Sequence, residues 1–308
     1  MQKIIPHLWF DKEAKEAAAF YASVFPDSRV THLTTLENTP SGDCDVVSFE
    51  LWNQKFMAIS AGPLFKFNPS ISFMVNFDPL LFGSPETGKK DAREKIDMVW
   101  NKLAEGGNVL MPIDKYPFSE RYGWVQDKYG LSWQLILTNP EGESRPAIVP
   151  SLMFVGSKCG KAEEAINFYL SVFKHSKLGG MYRYGKGQEP DQEGTVMFAD
   201  FMLENTWFAA MDSAHEHKFD FNEAVSLLVN CEDQQDIDYY WQKLSALPES
   251  EECGWLKDKF GVSWQISSAD MEEKMSTGTR EQINRVTQAV LTMKKLDIAK
   301  LKAAYDGA

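Results

Sequence analysis

Gly-Trp-Val-Gln-Asp-Lys-Tyr-Gly-Leu-Ser-Trp-Gln, at Gly123–Gln134, returns as Gly-Trp-Leu-Lys-Asp-Lys-Phe-Gly-Val-Ser-Trp-Gln at Gly254–Gln265, with eight of the twelve positions identical. The pattern predicts an extended segment at Trp124 and Val125, a turn over Asp127–Gly130, and a strand from Leu131 to Leu137. Gly130 and Gly261 suit a positive φ, and Asp127 and Asp258 can accept hydrogen bonds from the turn backbone. Along the second strand, Leu131, Trp133 and Leu135 share one face, and Ser132, Gln134 and Ile136 share the other. Each copy therefore sets one glutamine in mid-strand, where a polar side chain needs a partner.

Working outward, the first copy closes a longer pattern. Lys3–Phe10 predicts a strand, and Asp11 is the expected N-cap of a helix carrying Ala14, Ala17, Phe20 or Tyr21, and Val24. Extended runs at Arg29–Leu36, Asp45–Leu51 and Gln54–Ser60 follow, the last two joined at Trp52-Asn53. The order strand, helix, strand, strand, strand then repeats. Ser70–Phe77 is a strand, Gly88–Glu105 a helix ended by Gly106-Gly107, and strands near Val109, at Trp124–Gln126 and at Leu131–Leu137 complete the unit.

The whole half then restarts. Ile4-Ile-Pro6 returns as Ile148-Val-Pro150, Phe20-Tyr-Ala-Ser-Val-Phe25 as Phe168-Tyr-Leu-Ser-Val-Phe173, and the helix motif at Ile96 as that at Ile237. The offset moves from 144 to 148, 141 and 131, the mark of loop-sized insertions and deletions within one topology. The expected organisation is a domain at 1–139, a linker at 140–147, a second domain at 148–270 and a C-terminal helix at 279–305. Thr279 and Gln282 form a capping box for that helix. It is expected to pack across the two halves or against a partner.

Composition bounds the function. With 308 residues, 44% hydrophobic and 25% charged, the chain is globular and long enough for two cores. A net charge of -12 offers no basic stripe for nucleic acid. Cys44, Cys159, Cys231 and Cys253 form no CxxC pair, which fits a reducing cytoplasm without structural zinc or disulfides. No signal peptide or membrane-length apolar run is present.

The opening Ile-Ile-Pro with Phe-Tyr-x-x-Val-Phe, the closing Gly-Trp…Ser-Trp-Gln and the tail Met293-Lys-Lys-Leu-Asp-Ile-Ala-Lys-Leu301 resemble the PhnB-like family, labelled 3-demethylubiquinone methyltransferase-like. That family lies in the vicinal oxygen chelate superfamily of glyoxalases and bleomycin-resistance proteins. The resemblance implies an α+β fold of two tandem domains, each a pair of βαβββ modules forming a curved sheet that cups a site. It also implies an intramolecular pseudo-dimer of the two halves, with a homodimer as a further expectation.

Metal-dependent members of the superfamily carry a His, a Glu, a His and a Glu on the cup strands. The first half here offers His7, then Ala58 or Ser60, then Ser70 or Ser72, then Gln134. The second offers Ser151, then Ala210 or Asp212, then Ala224 or Ser226, then Gln265. A divalent ion wants several imidazole, thiolate or carboxylate donors, and a neutral glutamine is a weak substitute. His7 reads either as a histidine satisfied by a neighbour or as a pocket base or lone ligand. Trp124, Trp133, Trp255 and Trp264 read as core or cup wall, and Trp9 joins Trp124 and Trp255 among the pocket candidates. His215 and His217 sit in a polar loop and make a weak metal pair.

The expected function is small-molecule binding without metal or other cofactor. The alternative is a metal-dependent glyoxalase- or dioxygenase-like enzyme, with His7 and Asp212 holding a divalent ion that polarises vicinal oxygens. Methyl transfer is not expected, since no strand–GxGxG–helix unit exists for S-adenosylmethionine. Neither a phosphate loop, nor HExxH, nor a GxSxG elbow occurs.

Overall fold

The computed structural model describes residues 2–83, 85–139, 141 and 143–308. Of the predicted linker, Pro140 and Gly142 lie outside the described residues. The first module is β1 (Ile4–Phe10), α1 (Ala14–Val24), β2 (Arg29–Thr39), β3 (Gly42–Leu51) and β4 (Gln54–Ser60). The second is β5 (Ile71–Phe77), α2 (Pro85–Ala104), β6 (Asn108–Tyr116), β7 (Ser119–Gln126) and β8 (Ser132–Leu137). The third repeats the first as β9 (Ile148–Val155), α3 (Ala162–Val172), β10 (Lys177–Arg183), β11 (Val196–Leu203) and β12 (Thr206–Ser213). The fourth is β13 (Val225–Cys231), α4 (Gln234–Leu244), β14 (Trp255–Lys257) and β15 (Ser263–Ser268).

The α+β class of paired modules and curved sheets is as expected, but the partners differ. The seven-stranded sheet runs β14-β15-β13-β1-β4-β3-β2, and the eight-stranded sheet runs β10-β11-β12-β9-β5-β8-β7-β6. Each sheet thus takes one module from each half, joined through the antiparallel pairs β1–β13 and β5–β9. The two modules of one half do not share a sheet. Strand alternation specifies which face is buried but not which neighbour a strand takes. The result is a pseudo-dimer within one chain. The fourth module also has one strand fewer than its counterpart, because the segment corresponding to β6 is shortened to a loop and a single 3-10 turn.

The duplicated turn is the keystone of each core. Asp127 accepts from the backbone N–H of Tyr129 (2.8 Å) and Leu131 (3.1 Å), and also from Tyr21 Oη (2.8 Å) and Trp133 Nε1 (2.9 Å). Asp258 repeats all four bonds with Phe260, Val262, Tyr169 and Trp264. Gly130 and Gly261 close the turns at φ of 88° and 87°. Trp133 and Trp264 are fully buried. At ~25 cal/mol per Å² and about 200 Å² for a buried aromatic, each contributes roughly 5 kcal/mol as an upper estimate. The carboxylate thus ties the α1 or α3 helix, the turn and the last strand together.

Two local expectations are corrected. Asp11 does not cap α1. Its carbonyl accepts from Gly62 N, while the first helical amide, Ala14 N, donates to Ser60 Oγ across the sheet (3.1 Å). The expected single helix at 279–305 is two, α6 (Arg280–Val290) and α7 (Ile298–Asp306), and a further helix, α5 (Ala269–Thr277), precedes them. The Thr279–Gln282 capping box opens α6 as expected. The chain then leaves the helix so that the Met293 and Lys294 carbonyls can accept from Cys253 N (2.8 Å) and Gly254 N (2.7 Å), and Asp297 caps α7. These carbonyls meet the start of β14, beside the position where a β6 counterpart would have paired. The tail packs on β2 from the first half and on β15 from the second, so it does span the halves.

Candidate functional site

The inner face of each sheet forms a cup, and both cups have the same floor. In the seven-stranded sheet, His7 on β1 stands opposite Ser226 on β13, and Gln265 Nε2 donates to Ser226 Oγ (2.9 Å). In the eight-stranded sheet, Ser151 on β9 stands opposite Ser72 on β5, and Gln134 Nε2 donates to Ser72 Oγ (2.7 Å). The mid-strand glutamines therefore serve the two junctions between halves. His7 in one cup corresponds to Ser151 in the other.

The first cup is walled by aromatics. Trp255 meets the His7 ring edge-on at 5.7 Å, Trp9 meets Trp255 at 6.1 Å, and Phe65 meets Trp9 at 5.1 Å. Trp9 Nε1 donates to Gly62 O (2.8 Å). His7 is 5% exposed, and burial pulls its pKa down to about 4, so the ring is neutral at neutral pH. Its Nδ1 has no hydrogen-bond partner.

The second cup joins a polar chain to an apolar bed. Tyr122 Oη donates to Gln134 Oε1 (2.7 Å), which fixes the amide and directs its N–H at Ser72. Because Ser72 Oγ accepts from that N–H, its own proton is available to a guest. Val149, Trp207 and Ala209 form an apolar cluster apart from the main core, with Met74, Phe198 and Met202 against it. The Arg145 guanidinium stacks on Trp207 at 3.6 Å and bonds Asp200 (2.7 Å). At the β6–β7 tip, Tyr116 and Phe118 pack on Tyr122 at 5.5 and 5.0 Å. Phe118 is 62% exposed, an apolar ring at the rim.

Of the sequence candidates, His7, Trp9, Trp255 and Gln265 come together in the first cup. Gln134 and Ser151 come together in the second. Trp124 lies on the same strand face as Tyr122 and donates to Ser132 Oγ (2.8 Å). Ser70 precedes β5, and its carbonyl accepts from Met153 N at the junction (2.8 Å). Ser60 and Asp212 leave the list. Ser60 caps α1, and Asp212 accepts from Gly160 N (2.7 Å), Ala162 N (3.1 Å) and Val196 N (3.0 Å), doing the same for α3. Burial raises the Asp212 pKa while these amides oppose the shift. His7 and Asp212 stand in different sheets, so their mixed site does not form.

Among the described residues no three His, Cys, Asp or Glu side chains cluster to hold a metal ion. One imidazole with amides and hydroxyls is a poor donor set for a divalent cation, and neither cup fits one. His215 and His217 stay in edge contact at 6.4 Å, but each turns to its own partner, His215 3.6 Å from Asp191 and His217 2.8 Å from Ser213 Oγ. All four cysteines are free. Among the described residues no helix is long and apolar enough to cross a membrane.

Sequence reasoning missed Tyr122 and Glu272. Tyr122 alternates with Trp124, a signal that it shares the inner face. Glu272 sits between Met271 and Met275 on α5, an acid beside a helix's apolar stripe. Burial pushes its pKa up to about 7, with Asn230, Lys55 and Ser267 opposing the shift. Asn230 and Ser267 lie beside the carboxyl, but Oε1 makes no hydrogen bond of ordinary geometry.

A family model described as 3-demethylubiquinone-9 3-methyltransferase matches residues 2–136 and 146–267. A solved protein from Bacillus cereus, titled a putative 3-demethylubiquinone-9 3-methyltransferase, PhnB protein, is 37% identical over 44% of this chain and 100% of its own, with a TM-score of 0.38. Glyoxalase I from Zea mays is 11% identical over 90% of this chain and 98% of its own, with a TM-score of 0.53, a likeness of fold. A putative dioxygenase from Bacillus subtilis is 12% identical over 88% of this chain and 89% of its own, with a TM-score of 0.43. No curated protein matches the chain. By the match of both halves, the chain belongs to the PhnB-like family, described as 3-demethylubiquinone-9 3-methyltransferase.

Proposed function

We propose that the protein binds a small, largely apolar molecule in the cup of the eight-stranded sheet, without a metal ion. The observation that carries this reading is the separate apolar cluster around Val149 and Trp207, on the same face as the Tyr122–Gln134–Ser72 chain. An apolar bed with a few fixed polar groups is the usual make-up of a small-molecule site. The chain is directional: it ends in the Ser72 hydroxyl, with Ser151 opposite it on β9, and these hydroxyls donate to an oxygen acceptor such as a carbonyl or carboxylate. Methyl transfer is not part of this reading. The glycines of the described chain serve turns and close packing, and none builds a phosphate- or methionine-binding loop of the strand–GxGxG–helix kind.

The test is tryptophan fluorescence titration with 1-naphthoate, with naphthalene as the carboxylate-free control. Saturable naphthoate binding, weakened about tenfold in Gln134→Leu, agrees with the loss of one hydrogen-bonding relay. Equal binding of the two probes, or no effect of Gln134→Leu, overturns the assignment. Loading with Zn, Ni, Mn or Fe followed by metal analysis tests the metal-free part. A stoichiometric ion lost in His7→Ala would favour the metal-dependent glyoxalase- or dioxygenase-like alternative.

A further inference from the structure

The inner face of the eight-stranded sheet carries a cation that its framework does not require. Arg145, on the segment between the halves, lays its guanidinium on the Trp207 ring at 3.6 Å. Trp207 belongs to the apolar bed, with Val149 and Ala209. Arg145 Nε donates to Asp200 Oδ2 (2.7 Å), and Nη1 donates to the Glu143 carbonyl (2.9 Å). Nη2 makes no hydrogen bond among the described residues, so its two N–H groups remain to be used. The side chain is 24% exposed, half withdrawn from water yet reachable.

The strand register puts this group in the same cup as the two serines. Asp200 pairs with Ala209, Ala209 with Ser151, and Ser151 with Ser72. The four form one row across β11, β12, β9 and β5. On β11, Ala199 and Phe201 enter the main core, while Phe198 and Met202 pack on the bed, so Asp200 between them faces the cup. Trp207 stands two residues before Ala209. Strand rise and spacing then set Trp207 and Ser151 about 8 Å apart at the backbone, a gap that one flat ring system bridges.

The arrangement is seated by glycines. A Cβ on Gly179 would fall 2.1 Å from Asp200 Oδ1 and 2.9 Å from the Trp207 ring, and Gly180 N donates to Asp200 Oδ1. In the first half the same register places Ser48 where the second has Asp200, and Lys55 where it has Trp207. A group that the shared framework needed would appear in both cups, and this one appears in one. Asp200 and Glu143 offset the charge of Arg145. What the guanidinium offers a guest is therefore a pair of directed N–H donors on a fixed plane, the geometry that suits a carboxylate.

We propose that Arg145 is the specificity-determining residue of this cup, and that its guest is a flat apolar molecule with a carboxylate at each end. Ser72 and Ser151 take one carboxylate, Arg145 Nη2 takes the other, and the body lies on Val149 and Met74 between them. This inference rests on the binding site proposed above for the eight-stranded sheet.

The experiment is isothermal titration of the full chain with 1-naphthoate and with 1,4-naphthalenedicarboxylate, which adds a second carboxylate across the ring. The dicarboxylate should bind about tenfold more tightly, the gain expected of one charge-assisted contact. Arg145→Gln should abolish that difference and leave 1-naphthoate within about twofold of its original affinity. The unchanged monocarboxylate shows that the variant's cup is intact. Gln134→Leu should weaken both probes alike. Binding of 1-naphthoate with no preference for the dicarboxylate overturns this inference and leaves the serine floor standing. So does a preference that survives Arg145→Gln, or a variant that loses both probes equally. Failure of both probes to bind the original protein overturns the site itself, and the role of Arg145 with it.

Discussion

The two cups share a floor and differ in their closure. In each, a glutamine on the last strand donates to a serine at the junction between halves. Around the second cup the β6–β7 hairpin brings Tyr116, Phe118 and Tyr122 to the rim. The first cup has no such hairpin, and the tail has taken its place, with Met293 and Lys294 bonding the edge of β14 and α5 lying over the inner face. Duplication supplied one scaffold twice. The loss of about one strand in the fourth module then separated a cup with an aromatic rim from a cup with a helical roof. Binding sites diverge in this way when the framework is shared and the closing segment is not.

The shared part of the comparison can be broken most severely at its keystones. Asp127→Ala and Asp258→Ala each strand a buried tyrosine hydroxyl, an indole N–H and two turn amides. Each substitution should cost about 3–5 kcal/mol. Urea unfolding measures this. Equal losses would mean that the two copies remain equivalent below the cups. A loss under about 1 kcal/mol at either would show that the carboxylate is not the tie the geometry describes.

The next largest effect belongs to the roof alone. The Glu272 pKa is raised in the fold, to about 7. A raised acid pKa gives stability that is complete below the unfolded value near 4.3 and is lost as pH rises through 7. His7 works the opposite way: its depressed pKa of about 4 makes folding less favourable as pH falls from 6.5 toward 4. The tail over the first cup should therefore be docked most firmly in mildly acid solution. Between pH 5 and 8, Glu272 should account for a loss of about 2 kcal/mol. Hydrogen exchange of α5 amides reads it, and Glu272→Gln should flatten the profile. An unchanged profile in that variant would place the pH dependence elsewhere.

Much of the framework was legible in the sequence. The turn at Asp127–Gly130, the inward Trp133 and the capping box at Thr279 are local features. They depend on backbone preference and on a two-residue alternation, both of which a single strand displays. The pairing of modules was not legible, because alternation is the same whether β1 lies beside β5 or β13. Asp212 illustrates the cost of reading a position without its neighbours. An acid near the end of a cup strand resembles a ligand, yet the strand's last turn places it under the three amides at the start of α3 and at Val196. Glu272 was missed for the same reason, since Asn230 and Lys55, which lie beside it, are far from it along the chain.

The glutamines offer a finer cut. Gln134 is bonded on both sides, by Tyr122 and Ser72, while Cys253 occupies the position corresponding to Tyr122 in the other copy. Gln134→Leu should therefore cost about 2 kcal/mol and Gln265→Leu about 1 kcal/mol by thermal unfolding. Equal costs would mean that the tyrosine bond adds nothing to the second floor.

The smallest effect on stability should come with a visible effect on binding. Phe118 is mostly exposed and packs on Tyr116 and Tyr122 at the rim. Phe118→Ala removes little buried area, so unfolding should move by less than about 0.5 kcal/mol. If the rim closes over an apolar guest, though, the ring is buried only when the guest is bound. Its loss should then weaken 1-naphthoate binding by about three- to tenfold, the range expected for a peripheral aromatic contact. Unchanged 1-naphthoate binding in Phe118→Ala would mean that the rim does not close over the guest, and the hairpin would then have no part in what separates the two cups.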